Sequence, residues 1–188
     1  MITLDTLRDA LPDYARNLKL NLGSVLSPAG APGLTERQIW AVALGTAEAS
    51  GNADFAAAIG ELAAAHLDAT YQTGARAAAA IMGMNNIYYR FLHLVEDPEY
   101  GSMPARLRMS VIGNPGMDKT DFELVCLAVS AINGCGTCVA SHERQVRQRG
   151  LSREGVQSAV RIAATVHGVA RVLDNLNWTV EETEARAA

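Results

Sequence analysis

Cys135, Cys138 and His142 form a Cys-x-x-Cys-x-x-x-His run in a chain of 188 residues that has only three cysteines. An offset of three positions is about 300° around an α-helix, so thiols at this spacing lie near one face and can close into a disulfide. If the first cysteine opens the helix, unpaired backbone N–H groups and the helix dipole stabilise its thiolate. That is how a dithiol becomes reactive at neutral pH. His142 follows Cys138 by four positions and Cys135 by seven, so all three can share one face. Histidine can accept a thiol proton near neutral pH and return it to a leaving group. The run reads as a redox dithiol with its own base.

Glu123 is the candidate fourth member, in Asp121-Phe122-Glu123-Leu124-Val125-Cys126-Leu127-Ala128. An ionised carboxylate beside an apolar run is costly unless it is near a terminus or hydrogen-bonded. A helix, an Asn133-Gly134 turn and a second helix folding back could bring it beside His142, as the third group of a nucleophile–base–orienter chain. Taken by itself, Glu123 reads more readily as a solvated first-turn carboxylate. Structural zinc is the main rival for the thiols, since Cys-x2-Cys-x3-His offers three ligands and Cys126 a fourth. Cys126, however, sits in a stretch that reads as core. Thr137, between the two thiols, cannot act as a base. His66 and His167 lie in apolar helical sequence and read as hydrogen-bonded packing residues. Met82, Met84 and Tyr88-Tyr89 read as a packing stripe, and the chain has no Gly-x-Gly-x-x-Gly or P-loop pattern.

The elements that must carry these residues are helical, and strand patterning is nearly absent. Thr3 is a plausible first cap, but Thr6 stands where a capping box would have Glu, so the box reads as incomplete. A helix from near Pro12 to Leu22 should stop before Gly23, and residues 27–33 read as a Gly/Pro linker. Helices are expected over 34–50, closed by Gly51-Asn52, over 53–65, and over 74–93. In the last of these Ile81, Met84, Ile87, Tyr88 and Phe91 are spaced for a packed face. Residues 97–101 break that helix, and Asn114-Pro115-Gly116 is a further turn. Residues 118–132 form the next helix, and the Cys-x-x-Cys sits in the first turn of another, reaching about Arg149. Gly150-Leu151-Ser152 is a stop and a new cap for a helix over 153–176. The charged tail from Thr179 should fray.

Sliding the chain against itself by 85 positions aligns Glu36 with Asp121, Gln38 with Glu123, Ile39 with Leu124, Gly83 with Gly168 and Ile87 with Val172. Residues 34–89 and 119–174 therefore read as an internal repeat within a single domain. Ser50 and Ala53 fall where Cys135 and Cys138 stand, so only the second half carries thiol chemistry.

Composition narrows the function classes. The hydrophobic fraction is 49%, much of it alanine, which favours helix but supplies little burial. Close-packed helices or oligomerisation would make up the difference. A formal net charge of −4 argues against a nucleic-acid partner, and the basic cluster from Arg144 to Arg149 reads as a solvated helix face. The N-terminus has no basic-then-apolar signal pattern, and no uncharged apolar run approaches about 20 residues. Three cysteines in such a chain point to the cytoplasm and to no membrane.

With these residues in view, the chain resembles the alkyl hydroperoxidase D family within the carboxymuconolactone-decarboxylase-like superfamily. The likeness covers nearly the whole length. It is carried by Leu7 to Ala15, by Ala80-Ile81-Met82-Gly83-Met84-Asn85-Asn86, and above all by Glu123-x11-Cys135-x2-Cys138-x3-His142-Glu143. The resemblance implies an all-α, duplicated helical domain, usually assembled as a homotrimer, with no bound cofactor or metal. It implies an antioxidant thiol peroxidase and disulfide reductase. Its dithiol would reduce alkyl hydroperoxides or the oxidised partner peroxiredoxin, the peroxide-reducing component of the alkyl hydroperoxide reductase system. Its electrons would come from dihydrolipoamide on a lipoylated 2-oxoacid dehydrogenase component. The family's roles fall on Glu123, Cys135, Cys138 and His142. The helix-terminus argument favours Cys135 as the attacking sulfur and the spacing to His142 favours Cys138; the resemblance assigns attack to Cys138 and resolution to Cys135. Some members have a histidine where this chain has Thr137, which bears on thiol acidity. Two other classes compete: a non-redox lyase or decarboxylase of the wider superfamily, and a zinc-stabilised binding protein.

Overall fold

A computed structural model describes residues 2–181; the end of the charged tail, from residue 182, lies outside them. The described residues are all-α. The helices are α1 (Leu4–Asp9), α2 (Arg16–Val25), α3 (Glu36–Ser50), α4 (Ala53–Ala63), α5 (Ala69–Leu94), α6 (Pro98–Ser102), α7 (Lys119–Ile132), α8 (Gly136–Gln148) and α9 (Arg153–Asn175), with short 3-10 turns at Asp13–Ala15 and Ser110–Ile112.

Helices α3 and α7 form the centre. Residues 39–47 of α3 and 121–130 of α7 are buried without a break, as expected of helices that are apolar nearly all round. Helix α3 packs on α9, α5, α7 and α4, while α7 packs on α8, α5, α3 and α9. The two can approach closely because Gly45 faces Val125. A Cβ added at Gly45 would stand 2.3 Å from Val125 Cγ1. Alanine plays the same part along α5, where Ala75, Ala78 and Ala79 are buried.

Three local expectations change. Thr6 does complete the α1 capping box, its hydroxyl serving the Thr3 backbone N–H. Helix α2 runs through Gly23 to Val25, and Arg8 crosses that glycine while its Nε donates to the Lys19 carbonyl at 3.2 Å. Helix α5 begins earlier than expected, because Asp68 caps it by accepting from the Tyr71 N–H at 2.8 Å.

The face of α5 that packs also differs. Ile87 is 63% exposed and Phe91 44%, whereas the buried stripe ends on Met82, Asn85 and Asn86. Apart from Tyr71 and Met82, the buried stripe of α5 is made of small and polar side chains, and the large apolar ones near its C-terminal end turn outward.

Candidate active site

Helix α7 ends in a Schellman motif that places the first thiol. The Gly134 N–H donates to the Ala131 carbonyl at 3.2 Å and the Cys135 N–H to the Ser130 carbonyl at 3.1 Å. Gly134 takes the left-handed conformation that this motif requires, with φ 68°. Cys135 thus closes one helix and caps the next: its Sγ accepts from the Cys138 N–H at 3.3 Å, in the first turn of α8. Helix α5 clamps the turn from outside. Asn86 donates to Ser130 Oγ at 2.8 Å and accepts from Asn133 Nδ2 at 2.9 Å, and the Arg90 guanidinium donates to the Asn133 carbonyl.

Cys135 and Cys138 are joined in a disulfide, with Cα atoms 5.3 Å apart. Their surroundings are unequal. Cys135 has no exposed surface, while Cys138 is 6% exposed and lines a cavity of about 370 Å³. The cavity walls are Met82, Tyr89, Met109 and Ile112 on the apolar side, and Asn85, Thr137, Cys138, Ser141 and His142 on the polar side.

Glu123 and His142 meet across the α7–α8 turn, with Oε2 and Nδ1 2.7 Å apart. Lys119 approaches the other carboxylate oxygen at 3.7 Å and donates to the Ile112 carbonyl. Burial opposes the Glu123 charge. The hydrogen bond and charge of His142, with the charges of Lys119 and Arg149, outweigh burial and hold the carboxyl below its ordinary value of 4.5. An ionised Glu123 keeps the proton of a neutral His142 ring on Nδ1 and leaves Nε2 as an acceptor. Arg149, read from sequence as part of a solvated face, thus also bears on the site.

The depressed carboxyl has a consequence for stability. Its interactions add stability above its unfolded value and lose it as pH falls through the lower folded value. Glu123→Gln should therefore be less stable than the natural chain near pH 7, and the gap should close as pH drops below 4.5. Denaturation midpoints across that range check this; a gap independent of pH would detach Glu123 from any charge interaction.

The remaining candidates sit apart from the thiols. Cys126 is buried in α7, where burial, then the Glu123 charge, pushes its thiol well up and makes it a poor nucleophile. His66 stacks on Trp40 with ring centroids 4.8 Å apart, and His167 Nδ1 lies 3.3 Å from Ser50 Oγ. Among the described residues, no group of three His, Cys, Asp or Glu side chains could hold a metal ion. None of their helices is long and apolar enough to cross a membrane. Met82 and Tyr89, expected in a packing stripe, both line the cavity beside Cys138. The available signal was Asn85-Asn86: two amides on the buried face of a helix need partners.

Comparison with known proteins agrees with this geometry. Residues 98–181 match the model of the carboxymuconolactone decarboxylase family. Relatives from several bacteria carry the description alkyl hydroperoxide reductase AhpD. The protein from Gluconacetobacter diazotrophicus is 56% identical, covering 92% of this chain and 93% of its own. That from Rhodospirillum centenum is 53% identical over 92% of this chain and 91% of its own. That from Frankia alni is 47% identical over the full length of both.

Proposed function

This chain belongs to the alkyl hydroperoxide reductase AhpD family, within the carboxymuconolactone-decarboxylase-like superfamily, and is an antioxidant oxidoreductase with a disulfide-forming cysteine pair; from that premise we propose that it reduces organic hydroperoxides through Cys138 and is recharged by dihydrolipoamide. The observation that carries this reading is the asymmetry of the pair, Cys138 on the cavity and Cys135 sealed behind it.

In the reduced enzyme His142 takes the Cys138 thiol proton, and Glu123 stabilises the imidazolium that forms. The thiolate attacks the terminal oxygen of R–O–OH. An S–O bond forms, the O–O bond breaks, and the departing alkoxide takes the proton from His142 and leaves as the alcohol. The Cys135 thiol then displaces hydroxide from the Cys138 sulfenic acid, giving the disulfide and water. A dihydrolipoamide thiolate attacks Cys138, the sulfur on the cavity, and Cys135 leaves. The N-cap position of Cys135 suits a leaving thiolate, because first-turn N–H groups and the helix dipole stabilise its charge. The second dihydrolipoamide thiol completes the exchange and leaves as lipoamide.

The same dithiol would reduce the disulfide of a partner peroxiredoxin, the peroxide-reducing component of the alkyl hydroperoxide reductase system, with a lipoylated 2-oxoacid dehydrogenase component as the source of electrons. We place the enzyme in the cytoplasm, where a reducible pair stays in use. Helices α3–α5 and α7–α9 are read as copies of one unit, bounded at 34–89 and 119–174. This is supported by the recurring order of helices, of 15, 11 and 26 residues and then 14, 13 and 23. A homotrimer is supported by the outward apolar face of α5 and α6, where Ile87, Phe91, Leu94 and Tyr100 are exposed. The functional test is consumption of tert-butyl hydroperoxide with dihydrolipoamide, with and without the peroxiredoxin. Turnover should occur in both, and none in either would remove the proposed activity.

A further inference from the structure

Glu123 gives its two oxygens to different partners. Oε2 meets His142 Nδ1 at 2.7 Å, and Oε1 lies 3.7 Å from the ammonium of Lys119, one turn back on α7. Lys119 also donates to the carbonyl of Ile112, so it bridges the catalytic carboxylate to a residue that lines the cavity. The other titratable groups near this end of α7 are accounted for. On α7 itself, burial keeps the proton on Cys126. From α8 come His142 and, just past its end, Arg149. From α3, Arg37 Nε lies 3.9 Å from Asp121 Oδ2, and from α5 the Tyr71 hydroxyl donates to that same oxygen at 2.7 Å, so both serve Asp121. Among the described residues, α9 adds no charge that acts on Glu123. When His142 is neutral, as it must be to accept a thiol proton, Lys119 and Arg149 are the positive charges left to offset the burial of this carboxylate.

We propose that Lys119 is a positioning residue of the proton relay: its ammonium, standing between Glu123 and the cavity wall, keeps a second proton off the Glu123–His142 pair, so that His142 Nε2 stays open to the Cys138 thiol. The inference rests on the peroxidase reading above and deepens it. Two groups 2.7 Å apart titrate as a pair. With one proton, the pair holds it on Nδ1 against the carboxylate, and Nε2 is bare. A second proton makes either an imidazolium beside a carboxylate or a carboxylic acid that donates to Nδ1. In both forms Nε2 carries hydrogen and cannot take the proton of the thiol. A fixed positive charge beside the pair opposes that second proton. Without Lys119 the blocked form therefore persists to higher pH, and the acid limb of dithiol oxidation moves upward. The Lys119 side chain is 31% exposed, so water screens its charge and the effect stands at the low end for a cation this close.

The test separates the charge of Lys119 from its tie to Ile112 in the full-length protein. Lys119→Gln removes the charge but keeps an N–H for the carbonyl, Lys119→Met removes both, and Lys119→Arg keeps the charge. Oxidation of the reduced dithiol by tert-butyl hydroperoxide is followed at acid, neutral and alkaline pH. On the acid limb Lys119→Gln and Lys119→Met should each be about 3–10-fold slower than the natural protein, the gap should close at alkaline pH, and Lys119→Arg should restore the natural profile. Histidine nitrogen NMR shifts of the reduced protein, which tell an Nδ1–H ring from an Nε2–H ring, should show more Nε2-protonated His142 at neutral pH in Lys119→Gln than in the natural chain. Should Lys119→Met fail to fold, the other two variants carry the comparison. A natural profile in Lys119→Gln overturns the proposal, as does a slowing equal at every pH, the mark of a purely structural tie. So does a Lys119→Arg protein that behaves like Lys119→Gln, or an unchanged His142 spectrum. If the natural protein is itself not oxidised by the hydroperoxide, the peroxidase reading fails on that arm alone; the spectra need no peroxide and still decide whether Lys119 governs the pair.

Discussion

Cys138→Ser is expected to abolish hydroperoxide turnover with dihydrolipoamide, whereas Cys135→Ser keeps the first oxidation and loses every later cycle. Serine is nearly isosteric with cysteine but is a weak nucleophile at neutral pH, so the first variant has no atom on the cavity that can take oxygen from the peroxide. In the second, Cys138 still lines the cavity beside His142, and what is missing is the thiol proposed to resolve the sulfenic acid. Stopped-flow peroxide consumption separates the two outcomes. Cys135→Ser should show about one equivalent consumed at near-natural rate and then a halt; Cys138→Ser should show only the background rate. The reverse pattern would exchange the roles of the two sulfurs and leave the asymmetric burial of the pair without a chemical purpose.

His142→Phe is expected to lower turnover by about 10²–10⁴-fold, the usual range for a positioned general acid–base, which corresponds to about 3–5 kcal/mol in the transition state. Phenylalanine fills the ring volume without either nitrogen, so the loss should not come from unfolding. Glu123→Gln should fall at the lower end of that range. Its amide oxygen can still accept from Nδ1, at the 2.7 Å contact now made by the carboxylate, and what disappears is the charge that stabilises the imidazolium. The double variant should lose less than the sum of the singles, because the proposed mechanism puts both residues on one proton path. Turnover against pH under saturating dihydrolipoamide checks this. Natural turnover in Glu123→Gln would return that residue to the rank of a structural carboxylate.

The juxtaposition of Glu123, Cys135, Cys138 and His142 was legible in the sequence because punctuation and spacing carry it. Asn133-Gly134 announces a helix break, Cys135 to His142 spans less than one further helix, and Glu123 lies one helix back. A single turn then brings Glu123 and His142 together. The far wall of the cavity was not legible in the same way. Met82, Asn85 and Tyr89 come from α5, and Met109 and Ile112 from the segment before α7. Which face of α5 turns inward depends on how closely α7 approaches, a tertiary property that hydrophobic periodicity does not encode. Reading the larger side chains as the packed ones put Ile87 and Phe91 inside, and they are outside. The polarity of Asn85 and Asn86 was the better guide, since a buried amide marks a place where something must be held. Gly23 teaches the same lesson on a smaller scale: it lies within α2, beneath the crossing Arg8 side chain, and does not end the helix.

The most direct measurement maps the first oxidised atom. Reduced Cys135→Ser protein is treated with one equivalent of tert-butyl hydroperoxide in the presence of a sulfenic-acid trap, digested, and analysed by peptide mass spectrometry. The trapped adduct is expected on Cys138 and not on Cys126, whose thiol is buried in α7 away from any peroxide. An adduct on Cys126, or no adduct on Cys138 while Cys135 is trapped in the Cys138→Ser protein, would contradict the assignment of Cys138 as the attacking sulfur.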